Sequence, residues 1–236
     1  HRGCDPFMSE AGARRGTDLW LLAATFVIAV AGMVYELIAA TASSYLVGDS
    51  VTQFSLVIGV FLSSMGLGAW LSRFAKLAER AFVSAQIALG VLGGASAPLM
   101  FLAYAYTGEV QMVMFTLLIA IGTLVGMEIP LIARLLEAAG AKHRFENVLT
   151  VDYLGALGAA LLFPLVIVPM VGLMTASLLF GALNLGVAAL SVWLFRGVGL
   201  TAHAIVIAVA LVVTGGALWK AEDTASALSA SLYEDE

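Results

Sequence analysis

The feature that most constrains this chain is a succession of apolar runs, each near the roughly 20 residues that an α-helix needs to cross hydrocarbon, separated by short polar links. A helix satisfies its own backbone groups, so such a run can cross lipid without orphaned N–H or C=O groups. Barrel strands would show strict alternation of apolar and polar residues instead. These runs are unbroken, so the spacing predicts helices.

Seven runs fall at about 19–46, 52–72, 82–106, 110–136, 149–168, 172–195 and 201–219. The first is long enough to tilt or to start beneath a membrane surface. The links are Gly48-Asp49-Ser50, Arg73–Arg80, Thr107-Gly108-Glu109, Glu137–Asn147, Pro169–Gly172 and Arg196–Gly199. Composition agrees. The chain is 61% hydrophobic and 11% charged, with mean hydropathy +1.02, against about 45–50% apolar and about 25% charged for a soluble domain. The expected fold is all-α, a polytopic membrane bundle of about seven transmembrane helices. The expected location is a membrane, with the lipid bilayer as first partner and no nucleic acid. Residues 1–18 form an N-terminal tail, of which 1–7 read as an upstream remnant before Met8-Ser9-Glu10. Residues 19–219 form the membrane domain. Residues 220–236 read as an acidic tail or linker toward a soluble domain.

Charge sets the orientation. Arg14 and Arg15 precede the first run; Arg73, Lys76 and Arg80 lie in the second link, Arg134, Lys142 and Arg144 around the fourth, and Arg196 in the sixth. The first, third and fifth links carry no Lys or Arg, and Lys220 falls on the other side. Loops rich in Lys and Arg stay in the cytoplasm. The N-terminus is therefore expected inside and, with seven spans, the C-terminus outside.

Several chemistries are excluded or unsupported. The single cysteine, Cys4, cannot form an internal disulfide framework or a cysteine-built metal site. His143, beside Lys142 and Arg144, reads as a solvated loop residue and His203 as an interfacial one. No His or carboxylate pair has metal-ligand spacing, so no metal is expected. The glycine clusters lack the strand–turn–helix context of a phosphate loop, and no cofactor is expected in this chain. Instead Gly59, Gly66, Gly68, Gly90, Gly93, Gly94, Gly155, Gly158, Gly181 and Gly186 are expected to let helices approach closely. The aromatic residues, Tyr35 among them, read as an interface belt.

Three carboxylates interrupt the runs: Glu36, Glu128 and Asp152. Together with Gln53 they are the candidate intramembrane polar site. A charge at the centre of a membrane helix costs roughly 2.5–3.5 kcal/mol on insertion scales, so these side chains should face the bundle interior. At 1.5 Å per residue, Glu128 lies roughly 10 Å and Glu36 roughly 25 Å from the cytoplasmic ends of their helices, which disfavours a direct pair. Their roles divide between helix packing and a polar cavity, and Asp152 leans to packing. Three prolines add kinks. Pro130 lacks the N–H that would bond the carbonyl of Gly126, Pro164 does the same to Ala160, and Pro98 kinks the third run. Asn184 and Ser63-Ser64 supply further polar groups.

The blocks "YELIAATASSYLVGDSVTQFSLVIGVFLSSMGLGAWLSRF", "GMEIPLIARLL" and "FENVLTVDYLGALGAALLFPLVIVPMVGL" resemble the N-terminal membrane region of bacterial spermidine synthase-like proteins, distantly similar to major facilitator transporters. The resemblance runs from about Leu19 to the end, and "SLYEDE" resembles the linker into a soluble domain. It implies a polyamine aminopropyltransferase of Rossmann-like fold using decarboxylated S-adenosylmethionine. No Gly-rich loop or acidic donor site of that fold is found here, so no catalytic residue carries over. The resulting expectation is an integral membrane domain that anchors an aminopropyltransferase-type domain absent from this chain and takes a small cationic substrate. The alternatives are a stand-alone transporter-like protein using the buried carboxylates, and a non-catalytic subunit beside a membrane-complex partner.

Overall fold

The computed structural model describes residues 6–141, 144–195 and 199–220, with side chains from residue 19. Cys4, Lys142, His143, Arg196, Glu222, Asp223 and the "SLYEDE" segment lie outside the described residues.

Every regular element among the described residues is helical. Helix α1 runs Pro6–Val47, α2 Ser50–Leu71, α3 Ala78–Tyr106, α4 Val110–Ala138 and α5 Phe145–Leu162. A π-helical turn at Phe163–Ile167 leads into the short α6, Val168–Val171, followed by α7, Leu173–Leu194, and α8, Thr201–Trp219. These make seven segments long and apolar enough to cross a membrane: Leu19–Val47, Ser50–Phe74, Ala78–Tyr106, Val110–Ala138, Phe145–Val171, Leu173–Leu194 and Thr201–Trp219.

Element ends depart from the hydropathy boundaries where helix-forming polar residues continue a helix beyond its apolar run. Ala78-Glu79-Arg80 forms the first turn of α3, so Arg80 is a helix residue and not a link residue. The helix α1 starts at Pro6, well before the apolar run at 19. Pro169 does not open a link. It sits within α6, which continues directly from the π turn, and the chain breaks only at Gly172, whose φ of 77° suits a residue without Cβ. The first link is shorter still: Asp49 caps α2, its carboxylate accepting from the Thr52 amide (3.4 Å) and hydroxyl (2.7 Å). These bonds hold its pKa below the usual aspartate range.

Helix α1 is the hub, touching α2, α3, α4, α5 and α7; α2 lies along α4, α3 along both α4 and α7, and α8 along α7 and α3. Glycine makes the tightest crossings. A Cβ on Gly68 would strike the backbone of Thr123, and one on Gly126 the backbone of Met65, so α2 and α4 meet backbone to backbone. Gly90 and Gly94 meet Gly181 in the same way across α3 and α7. Gly59, Gly66, Gly158 and Gly186 depart from expectation, having open space where a Cβ would go. Gly59 and Gly66 lie seven residues apart on one face of α2, while Gly68 lies about 200° further round, on the face toward α4.

The prolines act differently from one another. Pro98 leaves the carbonyl of Gly94 without its helical donor, and the Ser177 hydroxyl of α7 donates to it at 3.1 Å. The expectation for Pro164 was a simple lost bond at Ala160. The chain instead widens into the π turn, with the Val168 amide bonded five residues back to Phe163. Pro130 is accommodated inside α4 without ending it.

Candidate functional site

Four helices carry one buried polar cluster. Glu128 of α4 is 3% exposed and accepts from Nε2 of Gln86 on α3 at 2.6 Å. Tyr35 of α1 is buried, and its hydroxyl accepts from Nδ2 of Asn184 on α7 at 3.0 Å. The amide oxygens Oε1 of Gln86 and Oδ1 of Asn184 are buried with no hydrogen-bond partner among the described residues.

Small residues make room for this cluster. The ring of Tyr35 occupies the space a Cβ on Gly93 would need. Gly90 and Gly181, with Leu185 against Gly90, bring α3 and α7 close enough for Asn184 to reach across to Tyr35. A substituent at any of these glycines would separate the helices that bring the four polar groups together.

The candidate residues read from the sequence divide. Glu128 is at the centre. Gly32 of α1 faces Val125 of α4, and the two helices are antiparallel, so Glu36 lies level with Ile121, roughly 10 Å along the axis from Glu128. Glu36 is half-buried and outside the cluster, although its neighbour Tyr35 is inside; a side chain on α1 leans toward the helix N-terminus, which carries the tyrosine hydroxyl toward Glu128. Asp152 is half-buried on α5, where Gly155 packs on Phe26 and Ala29 of α1. This brings Asp152 near the depth of Glu128. Gln53 is buried in the first turn of α2. The parallel contacts Phe61 with Gly122 and Met65 with Gly126 put it roughly 20 Å up the bundle from Glu128.

Gln86 was not singled out by sequence reading, and Tyr35 was assigned to an interface belt. The structure corrects the latter: Tyr35 is 2% exposed near the middle of its span. A signal was present, since Gln86 and Gly93 are seven residues apart on one face of α3. His203 lies near the start of α8 and its Nε2 pairs with the Ser84 hydroxyl at 3.0 Å. No metal-binding group of three or more His, Cys, Asp or Glu occurs among the described residues.

Comparison with known proteins gives the chain its relatives. It is 43% identical over 230 residues to polyamine aminopropyltransferase 1 of Ralstonia nicotianae, a match covering 94% of this chain and 42% of that protein. Polyamine aminopropyltransferase 2 of the same organism is also 43% identical, over 92% of this chain and 42% of its own length. The polyamine aminopropyltransferase of Leptospira interrogans is 43% identical over 73% of this chain and 35% of its own length. No family model matches, and no solved structure matches.

These matches correct the functional expectation. Proteins that cover 92–94% of the chain are themselves named as the transferase. The helical sequence is therefore sequence of proteins bearing the enzyme's name, and the readings as an anchor apart from the enzyme, a stand-alone transporter or a non-catalytic subunit do not stand. Along nearly all of its length this chain is a relative of the polyamine aminopropyltransferases, and it spans about two fifths of the length of those from Ralstonia nicotianae.

Proposed function

We propose that this chain works in polyamine aminopropyl transfer, as sequence of the enzyme itself, and that its seven long helices lie in a bacterial inner membrane. In such a transfer an amine nitrogen of the acceptor attacks the aminopropyl carbon bound to the sulfonium of the donor. The C–S bond breaks, methylthioadenosine leaves, and the new secondary amine sheds a proton. No residue of the described bundle is assigned to that step.

The observation that carries the reading is the 43% identity to named polyamine aminopropyltransferases along 94% of the chain. Membrane insertion is supported by the apolar outer surface. Leu56, Ile58, Leu62 and Leu67 on α2, Leu154, Leu157 and Leu161 on α5, and Val206, Val209 and Val213 on α8 are all exposed. In water that area would be costly at roughly 25 cal/mol per Å²; in lipid it is not. The ends of the bundle differ in charge in the required sense. Arg73, Lys76, Arg80, Arg134 and Arg144 cluster where α2 and α4 end and α3 and α5 begin, which supports a cytoplasmic N-terminus.

The test is expression from the chain's own gene in a bacterium lacking spermidine synthesis, followed by assay of membranes with labelled decarboxylated S-adenosylmethionine and putrescine. Aminopropylated product in the membrane fraction, absent from the untransformed strain, is the expected outcome. Membranes that contain the protein and form no such product with any diamine acceptor would overturn the reading.

A further inference from the structure

We propose that the strap joining α2 to α3, with Trp70, Arg73, Phe74 and Lys76 at its surface, binds the phosphate headgroup of an anionic phospholipid. The inference rests on the reading that the long helices lie in a membrane. The apolar segment Ser50–Phe74 ends at this strap, so Trp70 and Arg73 stand where hydrocarbon gives way to headgroups. Between Ser72 and Arg80 the basic residues Arg73, Lys76 and Arg80 are set against a single acidic one, Glu79. At the other end of the bundle the links that hold Asp49 and Glu109 carry no Lys or Arg. The positive excess is therefore local to one end, and an anion complements it.

Arg73 is held in a form suited to phosphate. Its guanidinium carbon lies 4.3 Å from the centre of the Trp70 ring and 4.7 Å from that of Phe74, and the two rings meet edge to face at 5.1 Å. Stacking uses the face of the guanidinium and leaves its N–H edge, the fork that pairs with two phosphate oxygens. The turn that carries it is tied down: the Ser72 carbonyl accepts from the Ala75 amide at 3.1 Å and from Nη1 of Arg134, on α4, at 3.3 Å. Apolar surface decides among anionic partners. Trp70, Phe74 and Leu77 are exposed beside the charged Arg73 and Lys76. A nucleic acid or an acidic protein would match the charge and leave the rings without a counterpart. A phospholipid supplies both parts at once, a phosphate for Arg73 and Lys76 and an acyl stem for the rings, which favour membrane interfaces.

The experiment uses the full chain reconstituted in phosphatidylcholine vesicles, with Trp20, Trp193 and Trp219 replaced by Phe so that Trp70 is the one tryptophan left. Brominated phosphatidylglycerol or brominated phosphatidylcholine is then mixed in, and each quenches tryptophan fluorescence on contact. Preferential quenching by phosphatidylglycerol is expected, and the preference should fall by about fivefold for each basic residue removed in Arg73→Gln and Lys76→Gln. Equal quenching by the two brominated lipids would overturn the site, as would an undiminished preference in the double variant. Should the lipid preference be absent while heparin still binds the chain through Arg73 and Lys76, the partner is a soluble polyanion and the lipid assignment falls. Should the tryptophan replacements prevent folding, unfolding of the otherwise unaltered chain in mild detergent decides. Stabilisation by added phosphatidylglycerol over phosphatidylcholine, lost in Arg73→Gln with Lys76→Gln, upholds the site, and equal effects overturn it. Quenching by neither lipid would overturn the membrane reading and this site with it, whereas equal quenching leaves the membrane reading standing. Because no substrate enters the assay, the transferase reading stands or falls separately.

Discussion

At the scale of single residues, Glu128 stands out in any reading of the chain, because a carboxylate inside an apolar run demands an explanation. Its partner does not stand out. Glutamine is common, and only the rotational setting of α3 against α4 makes Gln86 the residue at 2.6 Å. Gln86→Leu keeps the volume but leaves Glu128 unpaired and buried. A loss of about 1–3 kcal/mol of stability is expected for a hydrogen bond to such a group, measurable by denaturant unfolding in detergent. Asp49 gives a pH prediction. Its two bonds to Thr52 lower its folded-state pKa below that of the unfolded chain. The cap's contribution is therefore fully present above the ordinary aspartate range and is lost as pH falls through the depressed folded value. Hydrogen exchange at the first turn of α2 should accelerate in that acid window, beyond the intrinsic pH dependence, and Asp49→Asn should flatten the change.

Among the elements, glycines of equal appearance have opposite roles. Gly66 and Gly68 lie two residues apart in α2, yet one faces open space and the other the backbone of Thr123. Gly68→Ala should force α2 away from α4 and cost about 1–3 kcal/mol, the range for overpacking. Gly66→Ala should be neutral or stabilising by up to about 1 kcal/mol, from helix propensity. Unfolding midpoints of the two variants compared side by side check the pair. Pro98 and Ser177 form a second test across α3 and α7. Ser177→Ala leaves the Gly94 carbonyl unpaired and should cost about 1 kcal/mol. In a Pro98→Ala background the restored amide at position 98 can serve that carbonyl, so the same change should cost less. A double-mutant cycle reads the difference directly. Proline positions were legible in the sequence, but their consequences were not. One kink is closed by a hydroxyl from another helix and one by a π turn, and each outcome depends on what packs alongside.

For the whole molecule, the run lengths and the placement of Lys and Arg predict a definite topology. Cysteine placed at Asp49 or Glu109, in a Cys4→Ser background, should react with a membrane-impermeant thiol reagent added to cells whose outer membrane admits it. Cysteine at Lys76 should react only after the inner membrane is opened. The reverse pattern would invert the proposed orientation.

The sequence by itself determined that the chain is helical, that seven segments are long and apolar enough to span a bilayer, and that one end of the bundle is basic. Those properties depend on hydropathy, run length and charge, all of which are local and additive along the chain. It also carried the relation to the transferase family through blocks of residues in order. The tertiary structure alone decided which polar residues meet. Glu128 joins Gln86, Tyr35 and Asn184, while Glu36 and Gln53 stay outside the cluster. The physical reason is geometric. One residue turns a helix by about 100° and advances it by 1.5 Å. Contacts among four helices therefore depend on their relative phase and depth, which close packing at Gly68, Gly90, Gly93, Gly126 and Gly181 determines.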